Sequence, residues 1–188
     1  MYNASDLRKG LKIEIDGDPC VVVDFQFVKP GKGQALYRCK IKNLITDATT
    51  DKTYRSVDKI DKPNLEERDL IYSHPEGHHH VFMDTDTYEQ VIIGEDILGD
   101  QRYFLVEDMD VQVLFHNHRP IEITLPYFIE KRIAKTEPGA RGDTATNVLK
   151  SAKLDNGYEI QVPLFINEGD LVRIDTRTGK YADRVSKG

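Results

Sequence analysis

The sequence predicts an all-β protein made of three small barrels in series. Three observations carry that prediction. Apolar residues recur with a period of two, as at Ile13 and Ile15 or Cys39 and Ile41, which is the spacing of half-buried strands. Turn pairs such as Asp16-Gly17, Pro30-Gly31 and Asn156-Gly157 punctuate the chain at short intervals. No stretch sustains the 3.6-residue period of a long helix. Breaks at Pro63 and Pro126 divide the 188 residues into segments 1–64, 65–127 and 128–188.

Taken in order, residues 4–10 read as a turn, with Ser5 or Asp6 capping a short helical turn and Gly10 ending it. Residues 12–16 alternate polar and apolar, and residues 16–19 turn. Residues 20–28 run as a long bent strand into a four-residue tip. Residues 34–43 return, with Arg38, Lys40 and Lys42 on one face. Residues 53–57 form a further strand. Short strands on tight turns make segment 1–64 an SH3/KOW-like barrel. In segment 65–127, residues 65–72, 79–83, 88–92, 110–115 and 120–125 read as strands. A short helix is expected at 96–100 and an extended stretch at 103–106, the pattern of an OB-type barrel. Segment 128–188 repeats it, with strands at 128–133, 150–154, 159–162 and 170–175 and a last segment bearing Tyr181 and Arg184. The polar loop 135–147 is a functional candidate because ordering such a loop costs entropy.

Charge is segregated beneath the net value of −6. Segment 1–64 carries 12 basic and 9 acidic side chains, segment 65–127 carries 3 and 14, and segment 128–188 carries 11 and 9. The two ends tolerate a polyanion and the middle repels one; alternatively the acidic middle serves solubility. No apolar run approaches the ~18 residues needed to span a bilayer. The N-terminus lacks the basic and apolar regions of a secretory signal. Cys20 and Cys39 lie inside apolar strand patterns and read as reduced buried thiols, which points to the cytoplasm.

The residue that stands out is Lys32. It sits between Gly31 and Gly33, glycines expected to take positive φ, after Lys29 and Pro30. One cation on a flexible four-carbon stem is thereby carried at the end of a two-stranded arm. Wet hairpin tips also favour Pro, Gly and Lys, so the tip taken alone fits an ordinary surface turn better than a site. A phosphate-cradling loop is excluded, because Gly33 follows Lys32 where Ser or Thr is required. His74, His78, His79, His80, His116 and His118 do not form a metal motif, since neighbours on a strand face opposite ways. No Gly-x-Ser-x-Gly elbow and no Cys-x-x-Cys pair is present. No catalytic residue, metal or cofactor is therefore expected. Aromatic residues beside basic ones, Tyr37 with Arg38 and Tyr181 with Arg184, fit either nucleic-acid stacking or plain strand packing.

Three stretches resemble the elongation factor P family of bacterial translation factors, in its lysine-bearing branch. They are Phe27-Val28-Lys29-Pro30-Gly31-Lys32-Gly33-Gln34-Ala35; Gly142-Asp143-Thr144; and Val162-Pro163-Leu164-Phe165-Ile166-Asn167-Glu168-Gly169-Asp170 continuing to Tyr181. The resemblance spans the full chain, with the middle segment matching loosely. It implies an elongated, L-shaped, tRNA-like monomer that binds the 70S ribosome and its ribosomal RNA beside peptidyl-tRNA. Residues 29–33 would form the loop at the peptidyl transferase centre, with Lys32 extended by a lysine-modifying enzyme. Tyr181 and Arg184 would contact the tRNA, and Gly142, Asp143 and Thr144 would lie near the exit-site codon. The implied action is relief of stalling at consecutive prolines by positioning, with no enzyme chemistry from the factor. Asp47, where the family often has Gly, and Ser151, where it often has Pro, leave the close paralogue of the factor open. The third segment argues against the two-domain hypusine-bearing relative. The competing class is a general OB-fold RNA-binding module with no ribosomal role.

Overall fold

The computed structural model describes residues 1–139 and 148–188. It is all-β. The strands are β1 (Tyr2–Asn3), β2 (Lys12–Ile15), β3 (Asp18–Val28), β4 (Leu36–Asn43), β5 (Thr49–Arg55), β6 (Lys59–Ile60), β7 (Leu65–Glu76), β8 (His79–Asp84) and β9 (Gln90–Gly94). After the short helix α1 (Glu95–Leu98) come β10 (Asp110–His116), β11 (Arg119–Thr124), β12 (Phe128–Thr136), β13 (Leu149–Leu154), β14 (Glu159–Pro163), β15 (Leu171–Asp175) and β16 (Lys180–Ser186). They form a four-stranded sheet β2-β3-β4-β5, a pair β1-β6, and two five-stranded sheets, β11-β10-β7-β8-β9 and β14-β13-β12-β15-β16. The chain divides into two compact units, Met1–Glu67 with Leu114–Glu122, and Arg68–Val113 with Ile123–Gly188.

Turn chemistry sets the registers. Asp16 (φ 51°) and Gly17 (φ 84°) both lie at positive φ between β2 and β3, and Asn117 (φ 49°) and His118 (φ 66°) repeat this between β10 and β11. Two successive positive φ values match the right-handed twist of paired strands. Each sheet buries one alternating set. Ile13, Val22, Ile41 and Tyr54 centre the first core, Leu70, Phe82, Ile93 and Val113 the second, and Ile133, Leu154, Val162 and Ile174 the third. Leu98 of α1 is buried as well. Burial pushes the Tyr54 phenol up to about 12 and also raises the Cys20 and Cys39 thiols, both of which are free.

Four local expectations change. The N-terminal 3-10 turn (Ala4–Asp6) is capped from Asn3, whose amide donates to Asp6 Oδ2 at 2.8 Å. Strand β5 begins at Thr49 and ends at Arg55, where the Asp58 carboxylate accepts the Arg55 amide at 2.7 Å and turns the chain. Tyr103 and Phe104 belong to a 3-10 segment (Gly99–Phe104), because both rings pack on Tyr158. The tip between β3 and β4 is seven residues, 29–35, instead of four.

Candidate functional site

The arm grows directly out of the first sheet. Strands β3 and β4 pair from Cys20↔Asn43 to Val28↔Leu36, with Val23 bulged out between Val22 and Asp24. A bulge sharpens twist and bends the strand, which aims the distal half of the hairpin. That half carries few buried residues. It is held instead by aromatic contacts across the strands: Phe27 lies 5.0 Å from Tyr37, its direct partner, and Phe25 stacks on Tyr37 at 6.1 Å. Such pairs contribute ~0.5–1 kcal/mol each. Beyond Val28 the chain leaves the sheet, and Lys29, Pro30, Gly31, Lys32, Gly33 and Gln34 are at the surface. Gly33 takes φ of 121°, whereas Gly31 does not enter the left-handed region. Among the described residues, none lies within hydrogen-bonding or ion-pair distance of the Lys32 amine. The arm thus presents a solvated cation with no carboxylate to draw it back.

The face below the tip is less basic than its sequence suggests. Arg38 and Lys40 point outward, but the register sets Asp24 and Asp51 on either side of Lys40, and Lys42 meets Asp47 at 3.4 Å. A shallow hollow of about 280 Å³ lies there, lined by Asp24, Arg38, Lys40, Asp51 and Lys52. Cross-strand opposite charges stabilise the sheet locally and weaken its pull on a polyanion.

The structure brings Tyr181 and Arg184 together by an unexpected route. Residues three apart on a regular strand face opposite ways. Here Ala182 is bulged, so Tyr181 sits opposite Ile174 and Arg184 opposite Val172, and both turn to the side of two fully buried residues. The Arg184 guanidinium lies 5.0 Å over the Phe165 ring, and its Nη1 is 3.7 Å from Asp170 Oδ2. Asp170 is 3% exposed and accepts amide hydrogen bonds from Asn167 and Gly188, each at 2.9 Å. Those amides, and then the Arg184 charge, hold its carboxyl below the ordinary range. Burial raises the Tyr181 phenol. The neighbouring arginines differ: Arg173 and Arg177 each grip one carboxylate with two nitrogens, Asp183 at 2.8 and 2.7 Å and Asp175 at 3.1 and 2.9 Å. Phe165 and Asp170 do not stand out in the sequence, because an apolar residue between strands and an acid in a Gly-Asp turn carry no signal of their own.

Three family models match the chain: the elongation factor P KOW-like domain over residues 3–60, the elongation factor P OB domain over 65–123 and the elongation factor P C-terminal domain over 129–184. A protein named Elongation factor P from Desulforapulum autotrophicum is 53% identical over 100% of each chain, and its namesake from Desulfotalea psychrophila is 49% identical over the same span. The chain belongs to the elongation factor P family. It is thereby a member of a translation elongation factor family. A solved structure described as eukaryotic translation initiation factor 5A from Methanococcus jannaschii is 24% identical, with a TM-score of 0.58, and covers 66% of this chain and 91% of that one. That likeness is one of fold, and it agrees with a KOW-like barrel followed by an OB barrel. Lys32 falls in the segment matched by the elongation factor P KOW-like model, and Tyr181 and Arg184 fall in the segment matched by the C-terminal model.

The remaining candidates are placed or set aside. Gly142, Asp143 and Thr144 lie outside the described residues. The histidines disperse. His80 is buried against Tyr72, whose hydroxyl lies 3.0 Å from Nδ1, and burial lowers its pKa. His78 lies 3.4 Å from Glu95, and His116 is buried 3.7 Å from Glu14. Among the described residues no three His, Cys, Asp or Glu side chains converge as a metal set, and no helix is long and apolar enough to cross a membrane.

Proposed function

We propose that the protein binds the ribosome beside peptidyl-tRNA and uses Lys32 to speed peptide bond formation where consecutive prolines have stalled it. The observation that carries this reading is the Lys32 amine itself, exposed and unpartnered among the described residues at the end of a stiffened two-stranded arm. A primary ammonium with no base or nucleophile beside it contributes charge and placement. Steadying a tRNA end in a reactive geometry requires nothing more of it, so the factor is not itself an enzyme. Extension of Lys32 by a modifying enzyme would lengthen the reach of the same cation. On this reading residues 1–64 carry the Lys29, Pro30, Gly31, Lys32 and Gly33 loop, residues 65–127 form the acidic middle domain, and residues 128–188 supply Tyr181 and Arg184 to the tRNA. Gly142, Asp143 and Thr144 serve the exit-site codon. The factor acts as a cytoplasmic monomer.

The test is translation of a tri-proline reporter with Lys32→Ala against the unmodified and modified wild-type proteins. Lys32→Ala is expected to fold and bind with little change but to lose most of the stimulation of rate. Undiminished stimulation by Lys32→Ala would refute the reading. Intact mass of the protein from its own host reports whether Lys32 carries an added group.

A further inference from the structure

Arg184 is held from two sides by residues to which the sequence alone assigns no role of their own. Below it lies Asp170, nearly inaccessible and itself locked by the Asn167 and Gly188 amides. Beside it lies the Phe165 ring, which is 56% exposed. An exposed Phe side chain is kept at the surface only at a cost in hydration, and the charged group lying over this one is the Arg184 guanidinium. The ion pair leaves the arginine available. The Nη1 nitrogen stands 3.7 Å from Asp170, and a guanidinium has five N–H donors. Arg173 and Arg177, by contrast, spend two nitrogens each on a carboxylate. A free arginine has many rotamers to lose, so an arginine already held in one pose loses less on meeting a phosphate. The Ala182 bulge then sets Tyr181 on the same side, next to this fixed cation.

We propose that Phe165 and Asp170 are positioning residues that preset the Arg184 guanidinium beside Tyr181, so that its remaining donors meet an RNA sugar–phosphate backbone without further ordering. This rests on the reading of Tyr181 and Arg184 as tRNA contacts. Phe165 supplies a flat face that keeps the guanidinium plane from rotating, and Asp170 supplies a buried charge that fixes its distal end. Neither residue touches the reacting centre, so both act on binding.

The experiment measures tri-proline synthesis on ribosomes as a function of factor concentration, using the full-length protein. It separates the half-saturating concentration from the maximal rate. Arg184→Ala is expected to raise the half-saturating concentration about tenfold, the effect of losing a charge-assisted phosphate contact. Phe165→Leu is expected to raise it about threefold at unchanged maximal rate, the scale of an exposed cation–π contact. Phe165→Tyr, which keeps the ring face, is expected to match wild type. In an Arg184→Ala background, Phe165→Leu is expected to add nothing. A merely structural Phe165 would not distinguish Leu from Tyr, nor lose its effect when Arg184 is absent. Asp170→Asn is expected to act like Phe165→Leu, and the Phe165 pair decides the matter however well that variant folds. If Arg184→Ala weakens binding but Phe165→Leu does not, or if the two effects add, the positioning role is overturned while the tRNA contact stands. If Arg184→Ala changes nothing, the contact itself is wrong and this inference falls with it.

Discussion

Two cations in this chain are prepared in opposite ways. Lys32 is exposed to solvent, while Arg184 is pinned to a ring and a buried carboxylate. What Lys32 needs is a backbone that places it, and there the two flanking glycines are not equivalent. Gly33 has φ of 121°, a conformation L side chains rarely adopt, whereas Gly31 lies outside that region and has open space where a Cβ would stand. Gly33→Ala is therefore expected to reshape the tip and lower tri-proline synthesis several-fold, and Gly31→Ala to preserve it. Both should keep the melting temperature of wild type, because the tip contributes no core. Equal activity of the two variants would contradict the assignment. Asp170 gives a pH-dependent counterpart. Its folded pKa is depressed, so its contribution to stability is present above the unfolded carboxyl value of about 3.9 and is lost as pH falls through the lower folded value. Urea unfolding should find Asp170→Asn less stable than wild type at neutral pH, with the gap closing only below about pH 4. A gap that closes on raising the pH would reverse the sign and dismiss the carboxylate as its source.

At the scale of elements, what is legible in the sequence is whatever rests on side-chain alternation. Strand β2 is readable from Ile13 and Ile15, and the arm from its apolar run meeting Pro30, Gly31 and Gly33. What is illegible depends on partners distant in sequence. Strand β5 has one inward residue, Tyr54, in seven, so its first half looks like loop; it is a strand because β4 offers it an edge from Lys42 to Leu36. Tyr103 and Phe104 have strand-like chemistry, yet the helical segment persists because Tyr158 takes up both rings. The co-facial placement of Tyr181 and Arg184 is hidden for another reason. Strand periodicity sets them on opposite faces, and only the bulge at Ala182, visible in the pairing with β15, reverses that. The candidate site is thus readable as residue types and not as geometry.

At the scale of the molecule, one of the two compact units contains most of the β11-β10-β7-β8-β9 sheet and all of the β14-β13-β12-β15-β16 sheet. Contacts between its two sheets centre on Tyr158. Tyr158 stacks on Tyr103 at 4.9 Å and meets Phe104 edge-on at 5.2 Å, and the Asn156 side-chain amide donates to the Tyr103 carbonyl at 2.7 Å. Gly179 closes against the same cluster: at φ 72°, a Cβ there would lie 2.9 Å from the Tyr158 hydroxyl and 3.2 Å from Phe104. Two aromatic pairs and a hydrogen bond amount to a few kcal/mol, enough to make two small barrels unfold together but little enough for one substitution to part them. Tyr158→Ala removes both ring contacts at once while leaving each hydrophobic core intact. In calorimetry of the full-length protein, Tyr158→Ala is expected to broaden or split the transition that belongs to this unit, lowering the calorimetric cooperativity. Gly179→Ala should do the same by wedging the rings apart. If both variants melt with wild-type width and a uniform shift, the cooperativity of the unit lies outside this cluster.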